Sequence, residues 1–158
     1  MTSSAGRVTG LQRSAGGVPK LPVERASVRA TGMEGDKQRD RRFHGGPERA
    51  LCLYSQERLD ALAAEGHPVM RGALGENVTV CGIAWEEVRP GTRLQLGEVL
   101  VEITSYTVPC KNIARYFSDE RFKRISQKLH PGWSRVYARV LHEGSIAVGD
   151  GVVLGSHE

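Results

Sequence analysis

No stretch of this sequence approaches the about 18 consecutive apolar residues that a membrane-spanning helix needs. Nor do Met1 to Gly6 carry the basic start, apolar stretch and small-residue cleavage site of a secretory signal. A soluble, cytoplasmic protein with no membrane association is the expectation. Cysteine is scarce: Cys52, Cys81 and Cys110 are odd in number, far apart and form no CxxC pair. This argues against a disulfide framework and a thiolate zinc site, so any cysteine chemistry must use a single thiol. Aromatics make up only 6% of the chain, and neither a zinc-finger nor an RNP-like motif occurs. Nucleic acid is therefore disfavoured as a partner, although Arg39, Arg41 and Arg42 cluster. GxGxxG after a strand, P-loop, HExxH and GxSxG are all missing, and the five histidines are scattered. What remains is one thiol and a set of groups that can bind an anion.

The length of 158 residues suits a single domain, assigned to residues 6–155, which buries roughly 70% of the unfolded surface without staples. The net charge of +4 is modest, but its carriers are mostly Arg, whose planar forks match phosphate and carboxylate. An anionic ligand fits that bias.

Nineteen glycines between short β-rich runs predict a mostly β fold, a closed or nearly closed barrel with two or three short peripheral helices. Arg93 to Leu96 and Val99 to Ile103, joined by Gly97-Glu98, read as a hairpin with Val99, Val101 and Ile103 on one face. Arg135 to Leu141 and Ser145 to Val148, joined by His142-Glu143-Gly144, read as another. In the first strand of that pair Val136, Ala138 and Val140 should point inward, with Arg135, Tyr137 and Arg139 opposite. Weaker strands are expected over 7–13, 24–30, 50–54, 76–80 and 152–154, enough in all for a small barrel. One helix should start at the N-cap Ser55, carry Leu59, Leu62 and Ala63 as its apolar stripe and stop at Gly66. A second should open at Ser118, repeat Phe122, Ile125 and Leu129, and end at Pro131-Gly132.

Three segments carry possible chemistry. Gly35 through Pro47 is polar, rich in Arg and includes His44-Gly45-Gly46. Its glycines would let backbone amides approach an anion, or they simply turn a solvated loop. Gly72-Ala73-Leu74-Gly75-Glu76-Asn77 leads into a strand, and Asn77 offers donors and an acceptor that also suit ordinary turn chemistry. In Thr107-Val108-Pro109-Cys110-Lys111-Asn112, Pro109 ends strand pairing and releases Cys110 onto a rim loop, where Lys111 would favour its thiolate. Such a thiolate suits a soft metal or nucleophilic attack, whereas Cys52 and Cys81 lie among apolar residues and read as buried thiols.

Taken in order, these segments resemble the MOSC family, named for the C-terminal domain of molybdenum cofactor sulfurases. The pattern includes Gly17-Val18-Pro19-Lys20, Gly32 through Asp36 with Gln38, His44 through Leu51, Gly75-Glu76-Asn77, Pro109-Cys110, the strand around Tyr137 to Leu141, and Gly144 with Val148-Gly149-Asp150. The resemblance implies a β-barrel in which Cys110 is the molybdenum ligand or sulfur-bearing group. It implies a pocket for the anionic pterin, with Lys20, His44, Asn77, Lys111 and Arg135 as candidate contacts. Relatives reduce N-hydroxylated compounds, so the implied activity is a two-electron oxidoreductase fed by a separate flavin or iron–sulfur reductase. The alternative is a sulfur carrier or cofactor-delivery module that uses a Cys110 persulfide supplied by a cysteine desulfurase. The chain lacks the pyridoxal-phosphate half of the sulfurases, so that cofactor is a family-level association only.

Overall fold

Alternating burial along the strands builds the architecture. The computed structural model describes residues 6–14, 16, 18–36 and 47–155. In chain order the strands are β1 (Gly6–Arg13), β2 (Leu21–Val23), β3 (Arg25–Arg29), β4 (Gly32–Met33), β5 (Leu51–Ser55), β6 (Val78–Cys81), β7 (Arg93–Leu96), β8 (Val99–Tyr106), β9 (Val136–His142), β10 (Gly144–Ala147) and β11 (Gly151–Leu154). Strands β11, β7, β8, β9, β5, β6 and β1 pair in that order, and β1 pairs back to β11 to close a seven-stranded barrel. Strand β2 extends the sheet from β1, and β10-β3-β4 form a separate small sheet. Closure leaves the barrel strands no free edge.

The β7–β8 hairpin forms as expected, with Leu94 opposite Val101 and Leu96 opposite Val99. Leu94, Leu96, Val99, Val101 and Ile103 are at most 1% exposed. Each such side chain contributes roughly 1.5–3 kcal/mol by burial. Gly97 is required at the turn on two counts: its φ is +59°, and a Cβ there would lie 2.3 Å from Asp150 Oδ2. Strands β5 and β6 are parallel, so a crossover must join them. Helix α1 (Gln56–Ala64) supplies it, capped by Ser55, whose Oγ accepts from Arg58 N.

Two expectations are corrected. The segment after β9 does not fold back as a hairpin, because β9 is already flanked by β8 and β5. Strand β10 pairs with β3 instead. The second helix is absent as an α-helix: Glu120 sits at φ +60°, which breaks the first turn, and only a 3-10 turn at Phe122–Ile125 forms. Ile125 is buried as expected, but Leu129 is 56% exposed. Among the described residues, α1 is joined by four 3-10 turns rather than by further α-helices.

Aromatic contacts fix the long connection before β9 to the barrel. Buried Tyr54 donates to Trp133 O at 2.7 Å and meets Trp85 edge-on at 5.9 Å. Trp85 Nε1 donates to Ser134 O at 2.8 Å, and the guanidiniums of Arg58 and Arg124 lie over the Trp133 ring at 4.7 and 3.9 Å. The start of β9 is thereby held in place, and with it Arg135 and Tyr137.

Candidate functional site

Strand β8 ends at Tyr106, and the chain leaves the barrel through Thr107 to Cys110 before the 3-10 turn Lys111–Tyr116. Pro109 does end the ladder, Val108 is 81% exposed, and Cys110 is half-buried with extended backbone. The arm is tied down at three places. Ile113 N donates to Cys110 O, Arg115 Nη2 donates to Val18 O at 3.0 Å, and Ser118 N donates to His67 Nδ1 at 3.2 Å. Cys110 is thus fixed at the rim, and the Arg115–Val18 bond ties its arm to the segment that carries Lys20. Lys111 is exposed beside it.

Lys20 and Asn77, distant in sequence, meet at Asp36. This carboxylate is 3% exposed and accepts from Lys20 Nζ at 2.7 Å on both oxygens, from Asn77 Nδ2 at 3.0 Å and from Ser14 N at 2.9 Å. The remaining Asn77 amide hydrogen goes to Gln12 O, and its Oδ1 accepts from Cys52 N. The Lys20 side chain is 7% exposed, so its charge is spent on Asp36. Lys20 and Asn77 therefore hold a buried hub rather than present free donors. His44 lies outside the described residues.

Arg135 and Tyr137 lie opposite the inward face of β9, as expected, yet both are buried. Arg135 Nη1 donates to Leu74 O, and Tyr137 is the cross-strand partner of Cys52. Arg49 covers the Tyr137 ring at 5.3 Å. Burial first, then the Cys52 thiol, pushes the Tyr137 hydroxyl up to about 12, against Arg135 and Arg49; Cys110 also lies within its electrostatic reach. Burial likewise pushes Cys52 up to about 11, opposed chiefly by Arg135. Cys52 is thus a buried, protonated thiol, as expected, within electrostatic reach of Arg135, Glu76, Lys20 and Asp36. Cys81 is half-buried, not buried. Glu76 is fully buried, its Oε2 accepts from Gly72 N, and desolvation raises its pKa against the Gly72 amide and Arg135.

Strand pairing and hydrogen bonds therefore link Tyr137 through Cys52 to Asn77, Asp36 and Lys20, and Cys110 lies within electrostatic reach of Tyr137. Sequence reasoning missed Arg49, Cys52, Tyr137 and the role of Asp36. Asp36 and Arg49 sit inside the MOSC-like motifs, and an acid near Lys20 is a readable signal. The Cys52–Tyr137 pairing depends on strand register, which no local pattern shows.

Residues 40–153 match the family model described as MOSC domain. The chain belongs to the MOSC domain family. It is 33% identical to YflK of Bacillus subtilis (strain 168) over 136 residues, covering 84% of this chain and 60% of YflK. It is 31% identical to YiiM of Escherichia coli (strain K12) over 107 residues, covering 65% of this chain and 48% of YiiM. The MOSC chain thus spans about half to three fifths of the length of these curated relatives. Among solved structures, YiiM from Geobacillus stearothermophilus superposes with a TM-score of 0.75 at 26% identity, over 96% of this chain and 75% of that one. The YUAD protein from Bacillus subtilis has a TM-score of 0.75 over 99% of both chains at 17% identity, a likeness of fold alone. None of the described helices is long and apolar enough to cross a membrane.

MOSC domains are associated with molybdenum cofactor. The residues here fit that group. Among the described residues no three His, Cys, Asp or Glu side chains converge on a metal position, and the half-buried Cys110 on the rim arm is one soft donor. That suits a metal arriving with its own sulfur ligands and does not suit zinc. Arg135 Nε and Thr107 Oγ1, buried at the base of the Cys110 arm, have no hydrogen-bond partner among the described residues. Thr107 N donates to Arg135 O, so this spare donor capacity lies where β9 meets the arm.

Proposed function

We propose that this MOSC protein holds molybdenum cofactor through the Cys110 thiolate and reduces small N-hydroxylated compounds. The observation that carries the reading is a half-buried thiol fixed on a rim loop, within a chain whose residues 40–153 match the family. Arg135 would supply positive charge beneath an anionic ligand, with Arg49 behind Tyr137. Lys20 and Asn77 would act through Asp36, keeping the approach to the site in shape. Lys111 and His44 are proposed as further contacts to the pterin anion. Tyr137 keeps its proton on Oη throughout the neutral range, which makes it a hydrogen-bond donor.

When bound, the cofactor supplies two-electron redox chemistry at molybdenum. The net reaction takes an N-hydroxylated compound, two electrons and two protons to the reduced nitrogen compound and water. Electrons would come from a separate flavin or iron–sulfur reductase, since three dispersed cysteines cannot hold a cluster.

Metal analysis of protein from a cofactor-competent host tests the reading. Wild type should carry about one molybdenum per chain, as a single thiolate site requires, and Cys110→Ser should carry almost none. Full occupancy in Cys110→Ser would overturn the assignment. Metal-free wild type bearing an added sulfur on Cys110 would support the sulfur-carrier reading instead.

A further inference from the structure

Away from Cys110, an open groove of about 1120 Å³ runs along β1; its lining includes Val23, Met70 and Val148 and the charged residues Glu24, Arg25 and Arg71. Met70 and Val148 are 59% and 44% exposed, so an apolar surface is left in solvent. An arginine is built into it. Arg71 Nε donates to Gln56 Oε1 at 2.7 Å. Gln56 is itself held, with Thr9 Oγ1 donating to its Oε1 at 3.0 Å and its Nε2 donating to Asp60 Oδ1 at 2.9 Å. The stem of Arg71 lies over Gly10, where a Cβ would come within 2.7 Å of Arg71 Cδ and 2.3 Å of Gln12 Oε1. Strand β1 shifts register between Val8 and Gly10, and this bulge presents the bare glycine to the arginine.

Because Nε is already engaged, the two terminal amines of Arg71 are the part of the fork left for a ligand, and Arg71 makes no ion pair among the described residues. A guanidinium held at one edge is pre-organised for end-on bidentate binding of a carboxylate. The apolar lining beside it suits a hydrocarbon or aryl tail. We propose that this groove is a second binding site, for a small apolar carboxylate, with Arg71 as its anchor and Gly10 as the residue that lets Arg71 lie there. The site does not depend on Cys110 or on the cofactor.

Methyl-region NMR titration of the full chain with 4-phenylbutyrate tests this. Saturable shifts of Met70, Val23 and Val148 are expected with a Kd below about 1 mM, the scale set by a ligand of this size. Arg71→Gln should weaken binding about tenfold by removing the charged fork, and the neutral 4-phenylbutanol should bind wild type as weakly. Gly10→Ala should weaken it as well, because the added methyl would push the Arg71 stem away from Gln56. Cys110→Ser should bind like wild type, which separates this site from the molybdenum reading. No saturable shift, or equal affinity for the acid in wild type and Arg71→Gln, would overturn the proposal.

Discussion

The arm bearing Cys110 and the hub at Asp36 are built in opposite ways. At the hub the Lys20, Asp36 and Asn77 side chains are buried and committed: Lys20 to Asp36, and Asn77 to Asp36, Gln12 O and Cys52 N. On the arm, Cys110 is half-buried, Lys111 is exposed and the adjoining Thr107 Oγ1 has no partner among the described residues. Saturated polar groups hold shape, whereas exposed and under-used ones are available to a ligand. The molecule thus separates the residues that position the site from those that would touch what binds there.

Substitutions at the two regions should differ accordingly. Asp36→Ala strands the buried Lys20 ammonium and should cost about 3–5 kcal/mol in urea unfolding, as for breaking a buried ion pair. Wild-type stability in that variant would break the contrast. Asn77→Leu leaves the Cys52 amide unpaired and should cost about 1–3 kcal/mol. Cys110→Ser should shift stability by no more than about 0.5 kcal/mol while leaving only a small fraction of chains with metal. A large stability loss there would make Cys110 a structural thiol.

Titration sharpens the same comparison. Burial holds the Glu76 carboxyl above its ordinary 4.5, so the folded state retains a proton that the unfolded state releases. Stability from this group is present below pH 4.5 and lost as pH rises through its folded value. Glu76→Gln should flatten that decline in unfolding curves measured across the acidic to neutral range. A decline as steep as in wild type would assign it to another group. For the thiols, Cys52 at about 11 is buried, so at pH 8 only about one molecule in a thousand carries its thiolate. Iodoacetamide should alkylate Cys110 well before Cys52, as read by peptide mass spectrometry, and the reverse order would contradict the assignment of Cys110 as the accessible thiol.

Much of the barrel is legible in the sequence because valine and isoleucine alternate with polar residues, and Gly97 and Pro109 end their elements for reasons of backbone geometry. The β10 pairing is not legible, because it depends on both edges of β9 being occupied, a fact of the assembled barrel. The expected helix after Ser118 has a good apolar period, but it is overridden by the left-handed Glu120. At the site, Cys110 stands out through its Pro109 neighbour. Lys20 and Asn77 are both readable as polar residues in motifs. Their mutual engagement through Asp36 is not, since it joins three separate segments.

The central claim is that Cys110 supplies one sulfur ligand to molybdenum while the hub does not touch the metal. X-ray absorption at the molybdenum edge of the cofactor-loaded protein tests it directly. The sulfur shell of wild type should lose one scatterer in Cys110→Ser, in whatever fraction of that variant still retains metal, and should be unchanged in Cys52→Ser. An identical sulfur shell in wild type and metal-bearing Cys110→Ser would contradict the account.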